Sequence, residues 1–114
     1  MNNTEQQRIF IQAMIKSLRR VVRFTEGIKR QDFFENEVVV FATMKALQDA
    51  YSAAIELSRV SHKKRVKLDW EALRITRNLL AHSIGDDIDL EFLWQEASVT
   101  AKKILSVLEE RLQN

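Results

Sequence analysis

Proline is absent from this chain and glycine occurs only twice, at Gly27 and Gly85; no other sequence feature narrows the possible folds as far. A sheet protein of 114 residues would need turn after turn built on those two residue types. The expectation is therefore an all-α domain whose helices are broken in few places, and the apolar positions recur as that requires. Thr4 with Gln7 three residues on has the pattern of a capping box, opening a helix to about Thr25 with Phe10, Ala13, Met14, Leu18, Val21 and Val22 on one stripe. Gly27 is its natural stop. Residues 31–35 form a short helical turn around Phe33 and Phe34, which can cover one end of a core.

A second long helix is expected over 37–60. Its β-branched opening, Val38-Val39-Val40-Phe41, could pass for a strand, but Met44, Leu47, Tyr51, Ala54 and Leu57 continue at helical spacing, and length decides for helix. The basic connector 61–67 reads as a solvated loop, contact with phosphates being the other reading. A third helix spans 69–84, with Asp69 as N-cap and Trp70, Leu73, Leu80 and Ile84 recurring along it. A fourth runs from Ile88 to about Leu112, with Asp89 as its cap and Leu90, Leu93, Trp94, Ala97, Ala101, Ile104, Leu108 and Leu112 inward. Short connections between four principal helices make an antiparallel four-helix bundle with a short extra helix, one domain over 1–114.

With no cysteine there is no disulfide framework, thiol nucleophile or thiolate metal site. No apolar run reaches the length of a membrane span, and residues 1–8 are too polar for a signal peptide, so a cytoplasmic protein is expected. Charge is uneven: residues 1–80 carry a net +6 and residues 81–114 a net −4. That fits a basic surface for a polyanion beside an acidic C-terminal helix, and equally the mixed solvated face of a charge-rich helical protein.

The polar residues of the third helix need a separate reason, because docking requires only its apolar face. Only two histidines exist. His62 sits among cations in the basic connector, whereas His82 shares a helix face with Asn78 and Arg74. Arg77 is five residues before His82, about 140° round an ideal helix, so the two flank one cleft only if the Arg side chain swings round or a second subunit completes the site. The residue types suit RNA cleavage: an imidazole can accept the 2′-OH proton while a guanidinium holds the phosphate and its growing charge. Neither task needs a metal or cofactor, and no compact ligand cluster is present in the sequence. The plainer reading is that His82 is favoured by the helix dipole and that the arginines solvate the surface or pair across an interface.

Arg77-Asn78-Leu79-Leu80-Ala81-His82 resembles the R-x4-6-H signature of HEPN domains, and its surroundings resemble the HepT-like branch. The segments that carry the likeness are 70–78 and 88–94, with Phe24-Thr25-Glu26-Gly27 and Asp32-Phe33-Phe34 upstream, and it spans about residues 8–112. The resemblance implies a HEPN-like four-helix bundle that dimerises beside the motif helix and acts as a metal-independent endoribonuclease toxin. It would be paired with an MNT-type nucleotidyltransferase antitoxin of a type II toxin–antitoxin system. On this likeness Arg77 and His82 are catalytic, supported by Asn78, with Arg74 as a further RNA contact. The alternative implied is a non-catalytic helical module that docks the nucleotidyltransferase. Two positions depart from the family pattern. Ile84 stands where a modifiable Tyr is common, and Tyr51-Ser52 where the family often has Gly-Glu.

Overall fold

The computed structural model describes residues 3–61, 66–82 and 88–113, and every regular element among them is helical. The elements are α1 (Asn3–Thr25), α2 (Arg30–Glu35), α3 (Glu37–Val60), α4 (Trp70–Ala81), α5 (Leu90–Gln95), a π-helical segment (Glu96–Thr100) and α6 (Ala101–Gln113), the last three following without a break. The all-α helical bundle expected from the sequence is what forms.

Local chemistry sets the element ends. Gly27 follows α1 at φ +74°, in the left-handed region that only glycine enters at no steric cost. Asn36 caps α3 by accepting from the Val39 N–H, and Asp69 and Asp89 do the same for α4 and α5 through Ala72 and Phe92. Each side chain satisfies a backbone donor that the first helical turn leaves without a partner. The capping box expected at Thr4 does not form. Thr4 lies inside α1, and the Gln7 amide instead donates to the Val60 carbonyl at 3.1 Å. This bond ties the start of α1 to the end of α3, so the two helices run antiparallel.

α1 and α3 form the centre of the bundle. α4 packs along the far side of α3, and α6 along α1, where Arg19 pairs with Glu109 at 2.7 Å. Because α1 is covered by two neighbours, its buried arc is wider than a single stripe: Ile11 and Ile15 join Met14, Leu18 and Val21 in the core, while Ala13 is exposed. α2 closes one end. Phe33 is fully buried, its ring 5.1 Å from Trp94 and 6.3 Å from Phe34, so covering that end alone contributes about 2 kcal/mol. Arg30 stacks over Phe34 and pairs with Glu91, which joins α2 to α5.

The continuous fourth helix expected from the periodicity is interrupted by the π turn. Buried positions Leu93, Ala97, Ala101, Ile104 and Leu108 are spaced four, four, three and four, slightly longer than an ideal α-helical period, and one wider turn keeps them on one face. That turn carries Glu96, whose carboxylate accepts from the Tyr51 hydroxyl at 3.0 Å. Tyr51, the only tyrosine, is fully buried in α3. α4 does not close against α6: a cleft of about 400 Å³, lined by Leu73 and Thr76 on one side and Glu96 and Ile104 on the other, separates them.

Burial, and secondarily the charge and hydrogen bond of Glu96, hold the Tyr51 phenol well above the ordinary tyrosine range. The native state therefore keeps this proton where the unfolded chain loses it, and stability should fall as pH rises beyond about 10. Tyrosinate absorbance should appear only together with loss of helical circular dichroism, and Tyr51→Phe should remove that part of the alkaline dependence. At neutral pH the same substitution should cost about 1.5 kcal/mol, read from urea midpoints, because the half-buried Glu96 carboxylate loses its donor.

Candidate active site on α4

α4 is built so that one face is anchored and the remainder is offered to solvent. Leu73, Thr76 and Leu80 are buried, and Trp70 packs half-buried at the start of the helix. The helix is shorter than its sequence pattern suggests. Its last helical residue is Ala81, and His82 takes the C-cap position at φ −101°, ψ 4°. The sequence expectation carried helix to Ile84; that residue, like His62, lies outside the described residues.

His82 is exposed, and its backbone N–H donates to the Asn78 carbonyl at 3.1 Å. The imidazole thus stands one turn beyond Asn78 on the same side of the helix, as the four-residue spacing requires. Arg77 is half-buried on the edge of α4 that meets α3. Its Nε donates to the Ser52 hydroxyl at 3.4 Å and its Nη1 to Asn78 Oδ1 at 3.3 Å. Asn78 therefore draws the guanidinium from the α3 side toward the face that carries His82. Among the described residues Arg77 has no carboxylate partner and no hydrogen bond to His82.

Arg74 is placed differently. It is held by Glu71 through two hydrogen bonds, of 2.6 and 3.3 Å, on the exposed surface. The Glu71 carboxylate raises the Arg74 pKa further above its ordinary value. The two arginines therefore differ in their readiness for an anion: Arg74 is already paired, while among the described residues Arg77 has no ion pair. Neutral acceptors orient a guanidinium without consuming its charge, which suits binding and stabilising a phosphate.

Ser52 was not legible as a site residue, although the Tyr51-Ser52 departure from the family pattern marked the position. The structure explains the pair: Tyr51 turns inward to Glu96 and Ser52 outward to Arg77. Beside His82, two large apolar side chains stand in solvent on the outer face of α4, Ile75 at 47% and Leu79 at 55% exposure. Among the described residues, no group of three or more His, Cys, Asp or Glu side chains is placed to hold a metal ion, and no helix is long and apolar enough to cross a membrane.

The geometry stands beside one relative of known name. A Methanocaldococcus jannaschii protein named "Putative RNase MJ1380" is 25% identical over 100 residues, which cover 88% of this chain and 91% of that protein. No family model matches the sequence, and no solved structure matches the chain.

These contacts separate the residues that hold α4 in place from those that do not. Asp69→Ala should lower stability by about 1 kcal/mol through loss of the N-cap. Arg77→Ala should change it by about 0.5 kcal/mol or less, since its two hydrogen bonds are long and go to neutral partners at the surface. Thermal unfolding of both variants checks the contrast.

Proposed function

We propose that this chain is a metal-independent endoribonuclease of the HEPN, HepT-like kind. It acts on RNA through Arg77 and His82. The observation that carries the reading is the Arg77 guanidinium, oriented by Ser52 and Asn78 and in no ion pair among the described residues, on the helix that ends in the exposed imidazole of His82. Two further observations support it: the R-x4-H motif and the M. jannaschii relative whose printed name is that of an RNase.

In the proposed reaction a neutral His82 imidazole takes the proton from a ribose 2′-OH. The O2′ forms a bond to phosphorus, the P–O5′ bond breaks, and the departing O5′ receives the proton that His82 has taken up. The products are a 2′,3′-cyclic phosphate and a free 5′-hydroxyl. Arg77 binds the phosphate and offsets the charge that grows on its oxygens, while Asn78 positions the guanidinium. The step is a transesterification: no water is consumed, and the proton lifted from O2′ balances the one delivered to O5′.

The Arg77 guanidinium leans toward His82 yet makes no hydrogen bond to it among the described residues, and this supports a homodimer in which a second copy completes the cleft. Exposed Ile75 and Leu79 beside His82 offer the apolar contact such an interface needs. The proposed biological role is that of a toxin in the cytoplasm, restrained by an MNT-type nucleotidyltransferase antitoxin. The non-catalytic alternative, a module that docks the nucleotidyltransferase, draws on the same exposed apolar pair.

Purified protein should cleave single-stranded RNA in the presence of a chelator and leave 2′,3′-cyclic phosphate ends. Arg77→Ala and His82→Ala should each lower the rate by about 100-fold or more while the melting temperature moves by no more than about 4 °C. Equal cleavage by wild type and His82→Ala would remove the catalytic assignment. Expression without the partner should arrest growth, and arrest that survives Arg77→Ala would count against a toxin acting by RNA cleavage.

A further inference from the structure

A second feature lies away from α4, on the other side of α3. Lys16, Arg19, Arg20 and Arg23 line a groove of about 460 Å³ between α1 and the last turn of α6, with Ile15 and Leu112 contributing its apolar lining. The four cations fall within eight residues, so their Cα atoms span about 10 Å along the helix axis, enough to meet successive phosphates of an extended strand. Glu109 pairs with Arg19 at 2.7 Å; among the described residues Lys16, Arg20 and Arg23 are in no ion pair. Elsewhere on the bundle Lys45, Arg59 and Arg74 are each matched by a carboxylate on the same helix.

We propose that this groove is a sequence-independent binding site for the phosphodiester backbone of RNA. The chemistry favours nucleic acid over an acidic protein surface. Arginine is the residue that grips phosphate bidentately, and three of the four cations are arginine. A protein interface would want exposed apolar anchors at its centre, and the large exposed apolar residues, Ile9, Val38, Phe41, Ile75 and Leu79, do not line the groove. No aromatic residue lines it either, so bases are not stacked or read there, and binding follows charge and strand geometry alone. The site rests on the reading of the protein as an RNA-acting enzyme and adds to it a place where a long substrate is held while α4 acts elsewhere. Short RNA that reaches only α4 gains nothing from it.

The test uses full-length protein and fluorescence anisotropy with a labelled single-stranded 2′-O-methyl RNA of about 20 nucleotides, which has no 2′-OH to attack and so stays intact whichever residue is the base. Lys16→Ala/Arg20→Ala/Arg23→Ala should weaken binding by about tenfold or more. It should also reduce the slope of log affinity against log salt by about 2, at roughly 0.7 for each lost phosphate contact. Arg20→Lys/Arg23→Lys keeps the charge and should retain most of the affinity. Arg23→Glu alone serves if the triple variant does not fold, and it should lower both the affinity and the salt slope. In the wild-type background the triple variant should cleave a dinucleotide at the unaltered rate. An unchanged affinity and salt slope overturns the groove, as does binding of poly-glutamate as tight as that of RNA carrying the same number of charges. The two readings fail separately. His82→Ala that cleaves normally removes the catalytic assignment and leaves the groove to its own titration, whereas a silent triple variant removes the groove alone.

Discussion

The packing of α3 between α1 and α4 is the contact on which the rest of this molecule depends. Small side chains, Ala46, Ala50 and Ala54, are buried along α3, and Leu47, Leu57 and Tyr51 fill the space around them. Close approach of helices through alanine leaves little room for adjustment, since interiors pack near crystal density and a single added methylene is felt. α3 is thereby a shared wall. On one side it fixes α1 and, through α1, the α6 contact; on the other it carries α4, and Ser52 on its surface reaches Arg77. The position of the candidate guanidinium is thus set by the core rather than by α4 alone.

The Tyr51–Glu96 hydrogen bond shows the same economy of position. Tyr51 and Ser52 are neighbours in sequence, yet one faces the interior and the other the site, because successive residues of a helix point about 100° apart. Glu96 can meet Tyr51 because the π turn lies at that level, between α5 and α6. A buried phenol with no partner would cost more than the bond itself contributes, so the π turn and the tyrosine are best understood together.

Much of the fold was legible because it rests on local rules. Scarce glycine and absent proline excluded frequent turns; Asp69 and Asp89 announced two helix starts, and Gly27 one stop, each by a backbone requirement that acts within a few residues. The failures have physical reasons of their own. Thr4 and Gln7 matched a cap pattern, but the Gln7 amide found a carbonyl 53 residues away, which a local pattern cannot contain. A single apolar stripe on α1 includes Ala13 and omits Ile11 and Ile15, whereas the helix has two neighbours and buries a wider arc that takes in both isoleucines. Of the candidate site, Arg77, Asn78 and His82 could be read from spacing. Ser52 could not, since its contact with Arg77 crosses between helices.

By itself, then, the sequence determined that the chain is helical, where most helices begin and end, and which polar residues on 70–82 lie off the apolar face. Those properties depend on periodicity, capping and backbone conformation, and they are carried by residues within a turn or two of one another. Only the tertiary structure decided that the Arg77 guanidinium on α4 reaches the Ser52 hydroxyl on α3. It alone decided that four α1 cations share a groove with the end of α6. Each of these is a matter of which helices meet and at what level, and that is set by packing volumes summed over the whole core, which no local stretch of sequence encodes.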